Sequence, residues 1–193
     1  MLNIIGDRHS HPTPLTTSAN RPISCPEKIY RYLADDHARL DRLLQSVAAS
    51  PERFESSAYA EFRAGLLKHI GMEERILLPA AQRLRGGERL PIAARLRLDH
   101  GALAALLVPS ATPGIIAAIR TILAAHNAVE EGRGGLYEIC EQLVGAKSDE
   151  IFARLKSVPE VAMAPNNDGP GVVEATRRAL AKAGYNLEDF VSS

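Results

Sequence analysis

Several things are scarce in this sequence, and each scarcity removes a class of protein. Cysteine occurs only at Cys25 and Cys140, far apart and in no C-x-x-C pair. A disulfide framework is therefore not expected. Each thiol reads as a small buried hydrophobe, and the implied setting is the reducing cytoplasm. Charge of one sign is never in excess, because 23 Lys and Arg balance 23 Asp and Glu. Such a chain offers no electrostatic handle to nucleic acid or to an anionic membrane, and neither is expected as a partner. No apolar run approaches the ~20 residues that span a bilayer. The first residues, MLNIIGDRHSHPTPLTTSANRP, lack a basic start followed by an apolar stretch, so no secretory signal is expected. Alternation at strand spacing is missing throughout.

What is there reads as helix. Apolar residues at 46% and charged residues at 24% are ordinary for a globular protein, and 193 residues suffice for one domain with a real core. Residues 1–23, rich in Pro, Thr, Ser and Asn, read as a flexible lead, with His9 and His11 incidental. Ser24 and Glu27 make a capping box, with Pro26 in the first turn. Ile29, Leu33, Leu40, Leu44 and Val47 then repeat at helical spacing. A second helix is expected over 57–85, distorted by Pro79 one turn past Glu73 and ended by Gly86-Gly87. Pro91 opens a third, with Ile92, Leu96, Leu103 and Leu107 on one face, and VPSATPG breaks it. The fourth runs from near Ile115 to Glu131, is interrupted by GRGG and resumes as LYEICEQLV.

Four amphipathic helices with short connections predict an all-α, antiparallel up-down four-helix bundle over residues 24–146. Residues 147–193 read as an accessory C-terminal helical segment, with helices near 148–158 and 172–183 around the turn-rich APNNDGPG. This segment is too short for a core of its own. Ile151, Phe152, Leu155 and Val158 should therefore pack on the bundle or on a second subunit, the latter giving a homodimer through the tail.

The chemistry lies in a repeat. The stretches DHARLDRLL from Asp36 and DHGALAALL from Asp99 share D-H-x-x-L-x-x-L-L. One helix after each comes H-x-x-x-E-E, first at His69, Glu73 and Glu74, then at His126, Glu130 and Glu131. Any one of these histidines alone reads as a hydrogen-bonded core residue. Four of them with two carboxylates, all on inward stripes, do not. An unpaired buried carboxylate costs several kcal/mol or takes up a proton. Metal cations satisfy all six groups at once.

Four residues along a helix advance about 40° around its axis, so each His shares a face with its Glu. Glu74 and Glu131 sit about 100° further round and read as flanking groups. Asp36 and Asp99 are rotated off their histidines and read as solvated. Six ligands are too many for tetrahedral zinc and suit a dinuclear centre with both glutamates bridging. H-E-x-x-H and E-x-x-H are both absent, which disfavours a zinc metalloprotease and the ferritin-like pattern.

These residues resemble the hemerythrin-like, or HHE cation-binding, family over residues 25–145. Its order is one His, then H-x-x-x-E, then one His, then H-x-x-x-E. It falls on His37, His69, Glu73, His100, His126 and Glu130. The segment EERILLP is similar to the family's sequence after the second-helix glutamate. The resemblance implies a four-helix bundle holding two iron ions in a non-haem, oxo- or hydroxo-bridged centre. The implied partner is O2, NO or peroxide, and the implied roles are binding, sensing or iron handling.

Oxygen-carrying members have a second histidine one turn after the one on their third helix, where this chain has Ala104. Their fourth-helix acid lies five residues after its histidine, at the position of Glu131. The arrangement is nearer to the branch with two H-x-x-x-E motifs, which includes iron sensors and proteins implicated in repairing iron centres. The alternatives are a di-iron oxidase or peroxidase, and a helical interaction protein with incidental metal. Tyr30, two turns before His37, is the candidate for an extra ligand.

Overall fold

The computed structural model describes residues 28–50, 54 and 56–191, and among them there is no strand. The capping residues expected at 24–27, together with His9, His11 and Cys25, lie outside the described residues. Helix α1 is Lys28–Ala48 and α2 is Ser57–Met72. A π-helical turn, Glu73–Leu77, joins α2 to α3, Leu78–Leu84. Then come α4, Ala93–Leu106, α5, Pro113–Glu131, and α6, Leu136–Val144. The C-terminal part adds α7, Ser148–Lys156, α8, Pro170–Ala183, and α9, Glu188–Val191.

Local chemistry sets these limits. The Ser56 hydroxyl accepts from the Tyr59 N–H at the start of α2. Thr112 does the same for Ile115 ahead of Pro113 in α5. Glu141 of α6 reaches across to accept the N–H groups of Ile29 and Tyr30, both at 3.0 Å, which caps α1 and ties α6 to it. The distortion expected around Pro79 is real but lies ahead of it. Pro79 sits in the first turn of α3, where its missing N–H has no role. The chain accommodates it with the wide turn, in which Leu78 N–H bonds back to Glu73 O.

Two apolar clusters flank a polar middle, and the chain shuttles between them. On α1, Leu33 lies in one cluster and Leu40 and Leu44 in the other, with His37 between. Helix α2 returns from Leu66 past His69 to Met72. Helix α4 goes from Leu96 past His100 to Leu103, and α5 leaves Ile122 past His126 for Leu136 of α6. The polar layer is thus enclosed by hydrocarbon above and below.

The C-terminal residues pack on this frame. Ile151 and Leu155 are buried with Ile29 and Leu33, and Phe152 and Val158 lie partly buried beside them. Helix α8 lies against α4, burying Leu180 and Ala183 with Leu103 and Leu106. The stretch 164–168 is a clasp over the end of α4 rather than a loose turn. Buried Arg63 donates to Leu107 O at 2.9 Å and to Asn166 Oδ1 at 2.9 Å. Asn166 donates to Pro109 O, and Asp168 accepts from the Ser110 N–H and hydroxyl. Among the described residues no helix is long and apolar enough to cross a membrane.

Candidate metal centre

Each of the four central helical passages delivers one histidine to the middle layer, because His37, His69, His100 and His126 fall on the same stripes as the buried leucines and isoleucines. Glu73 and Glu130, one turn after His69 and His126, are both fully buried. The six residues expected from the sequence therefore come together. They form two groups, His37, His69, Glu73 and Glu130, and His100, His126, Glu73 and Glu130. Within each group the potential ligand atoms lie within 4.8 Å of one another.

Both glutamates span the two groups, one oxygen to each. Glu73 places Oε1 3.5 Å from His69 Nε2 and Oε2 3.1 Å from His100 Nε2. Glu130 places Oε2 3.5 Å from His37 Nε2 and Oε1 3.1 Å from His126 Nε2.

Around the histidines runs a ring of carboxylates, each reaching from one passage to the imidazole of the next. Asp36 meets His69 Nδ1 at 2.9 Å, and Glu74 meets His100 Nδ1 at 2.8 Å. Asp99 lies 3.6 Å from His126 Nδ1, and Glu131 meets His37 Nδ1 at 2.6 Å. The D-H and E-E dipeptides of the repeat supply this ring. Glu74 and Glu131 flank the site as expected. The expectation that Asp36 and Asp99 are solvated is overturned, since Asp99 is buried and Asp36 is mostly so. A side chain rotated off its own histidine points at the neighbouring helix, and in a closed bundle that direction leads to another histidine. Arginines partner three of the ring acids, Arg39 on Asp36, Arg97 on Glu74 and Arg95 on Asp99.

The ring determines what the middle can bind. A carboxylate at Nδ1 takes the imidazole N–H, which leaves the Nε2 lone pair directed inward. Four such lone pairs and four carboxylate oxygens then converge, with one hydroxyl proton among them. That hydroxyl belongs to Tyr137. It stands 2.7 Å from Glu73 Oε1, 3.2 Å from Glu130 Oε2 and 3.1 Å from both His37 Nε2 and His69 Nε2. Glu73 Oε2 and Glu130 Oε1 are buried without a hydrogen-bond partner.

Such a cluster attracts positive charge. Burial disfavours protonation of His69, but Glu73 and Asp36 outweigh it and raise its pKa to about 10. For His126 burial is likewise outweighed, by Asp99 and Glu130, and the value rises to about 9. Burial also opposes ionisation of Glu73, yet the His69 and His100 charges hold its carboxyl well below the usual range. Protons or metal cations can supply the positive charge, and the donor set of imidazole and carboxylate suits iron, zinc and similar cations.

Tyr137 is the residue that sequence reasoning missed. The expected extra ligand, Tyr30, instead donates to Glu131 O at 2.7 Å and packs edge-on against Tyr137, 5.9 Å between ring centroids. Helix α6 brings Tyr137 in because GRGG is a tight link. Gly134 adopts φ +71°, and a Cβ on Gly135 would meet the carbonyl oxygens of Glu130 and Val129 at 2.6 Å. The position of Ala104, one turn after His100, is only partly buried.

An enclosed histidine and carboxylate layer shared by four helical passages defines a helical cation-binding protein. The sequence model described as the Hemerythrin HHE cation binding domain matches residues 28–133, more than half of the chain, and the protein belongs to that family. No curated protein and no solved structure matches the chain. The matched range ends four residues before Tyr137.

Proposed function

We propose that the protein holds two iron ions in a non-haem centre and uses them to bind or sense a small oxidant or diatomic molecule, O2, NO or peroxide, or to handle iron. The observation that carries this is the pair of ligand groups sharing both glutamates. His37 and His69 would hold one ion and His100 and His126 the other. Glu73 and Glu130 would bridge them, and Tyr137 would join the first. The shuttling of the chain between two apolar clusters supports an antiparallel up-down bundle around this layer.

When bound, two irons supply redox change and open coordination positions for a small ligand. The chain's own residues do the rest. Asp36, Glu74, Asp99 and Glu131 orient the imidazoles and fix their tautomers. Leu33, Met72 and Leu96 on one side, and Leu40, Leu66 and Leu103 on the other, exclude water. The Tyr137 hydroxyl holds a proton at the shared carboxylates. Burial, then the charges of Glu73 and Glu130, push its pKa well above the ordinary value.

Elemental analysis and the electronic spectrum of freshly purified protein test the proposal. About two irons per chain are expected, with a visible band that azide alters. In the Glu73→Ala, Glu130→Ala double variant both should be lost. Stoichiometric iron in that variant would remove these carboxylates from the site.

A further inference from the structure

The two ligand groups share both glutamates but are not equal. The four hydrogen-bond partners of the Tyr137 hydroxyl, His37, His69, Glu73 and Glu130, are the four members of the first group. On the glutamates it meets Glu73 Oε1 and Glu130 Oε2, the oxygens that lean towards His69 and His37. Glu73 Oε2 and Glu130 Oε1, which lean towards His100 and His126, have no hydrogen-bond partner. The first position thus offers two nitrogens and three oxygens, and the second two nitrogens and two oxygens. We propose that the two positions sort cations by charge. His37, His69 and Tyr137 select a trivalent iron, and His100 and His126 take an exchangeable divalent ion such as ferrous iron, manganese or zinc. The inference rests on the metal centre proposed above and gives each half of it a preferred cation.

Two independent features set this preference. One is the phenol oxygen. A ligating tyrosine gives up its O–H bond, the proton leaving to water, and adds a negative charge to the first position alone. Tyr137 is fully buried, so that charge acts at short range with little screening. The other is the ring of acids behind the imidazoles. At the second position Glu74 and Asp99 are each paired with an arginine, Arg97 at 3.0 Å and Arg95 at 3.1 Å. At the first, Asp36 pairs with Arg39, which also reaches Glu61, while Glu131 has no arginine partner among the described residues. The ring is therefore neutralised around His100 and His126 and keeps an uncompensated negative charge around His37 and His69. The arginines are partly exposed, so the ring contributes less than the phenol. Both features act in one direction, placing more negative charge and more oxygen where the trivalent ion sits. The second position, with one ligand fewer, leaves more of its ion's coordination to water and releases it sooner.

The full-length protein, stripped of metal, is offered ferric citrate and zinc chloride together, desalted and analysed. One iron and one zinc per chain are expected, with a visible phenolate band and the electron-spin signal of an isolated ferric ion. Anomalous diffraction at the two absorption edges should place iron by His37 and His69 and zinc by His100 and His126. Added manganese should displace zinc at least about tenfold faster than iron, a cautious figure for one extra unit charge. Tyr137→Phe should spread iron and zinc over both positions. Glu131→Gln keeps an acceptor for the His37 ring and removes only the charge. It should weaken the sorting in the same direction, and it carries the test should the tyrosine variant fail to fold. Iron and zinc mixed at both positions of the unmodified protein, or sorting that neither variant weakens, overturns the proposal. Two coupled irons that exclude zinc would keep the metal centre and remove the sorting. No iron at either position would sink the metal centre, and the sorting with it.

Discussion

Individual side chains in this protein are chosen in pairs, an imidazole and the acid behind it. The pairing was only half legible. His37, His69, Glu73, His100, His126 and Glu130 stood out because a doubled motif at helical spacing must converge if the helices bundle. The partners of Asp36 and Asp99 were not legible, because helical rotation says where a side chain leaves its own helix and nothing about what it meets. Tyr137 was hidden for a similar reason. It lies beyond a glycine-rich break, where the phase of the previous helix no longer predicts direction.

Two predictions belong to this scale. Tyr137→Phe keeps the ring and removes the hydroxyl. It should retain about two irons but lose any visible band that depends on the phenol, whereas Tyr30→Phe should leave the spectrum intact. An unchanged spectrum in Tyr137→Phe would exclude the tyrosine from the iron environment. The other prediction concerns pH. In metal-free protein the surrounding carboxylates raise the pKa of His69 to about 10 and that of His126 to about 9. Values raised above the unfolded ~6.5 give stability that is full below that pH and lost as pH climbs through the folded values. The melting temperature of the metal-free protein should therefore fall by several degrees between pH 6.5 and 10. The metal-loaded protein should show the opposite response on the acid side, releasing iron as protons compete for the imidazoles. A flat melting profile of the metal-free protein across that window would contradict the charge cluster.

At the scale of elements, the helices were legible and their irregular joints were not. Apolar spacing located α1, α4 and α5 to within a few residues, because each buries one stripe against its neighbours. The π-helical turn at Glu73–Leu77 leaves no periodic trace, since one extra residue per turn shifts the phase just where Pro79 already signals trouble. GRGG looked like a breakdown of the fourth helix. In the structure it is a tight link after which α6 carries on toward the start of α1, with Tyr137 reaching the shared carboxylates. Gly135→Ala tests that role. Its Cβ would press on backbone oxygens at 2.6 Å, which cannot swing aside as a flexible side chain would. The expected cost is about 1–3 kcal/mol, read from denaturant unfolding, together with an altered visible spectrum as α6 shifts. Gly171→Ala, with nothing within 4 Å of the added Cβ, should be close to neutral. Equal effects at the two positions would show that the link tolerates displacement.

For the whole molecule the question is how far the C-terminal part belongs to the centre. Its helices near 148–158 and 172–183 were legible, but their docking was not, because a stripe of apolar residues does not name the surface it covers. The packing gives two different answers for stability and for metal. Leu180 and Ala183 fill the cluster built by Leu103, Leu106 and Ile119, and Arg63 is held between Leu107 O and Asn166. None of the six converging ligands, nor Tyr137, comes from beyond residue 144. We therefore expect the C-terminal helices to be an accessory that stabilises the frame without completing the site. Leu180→Ala should leave a void in a fully buried position and cost about 2–5 kcal/mol in denaturant unfolding. Iron content under native conditions should stay at the level of the unmodified protein. The two effects come apart because α8 supplies none of the six converging residues, and a bundle still folded at working temperature keeps its ligand geometry. Loss of iron from a Leu180→Ala protein that remains helical and monodisperse would show that α8 sets the spacing of α4 against α5. It would make the C-terminal part integral to the metal centre.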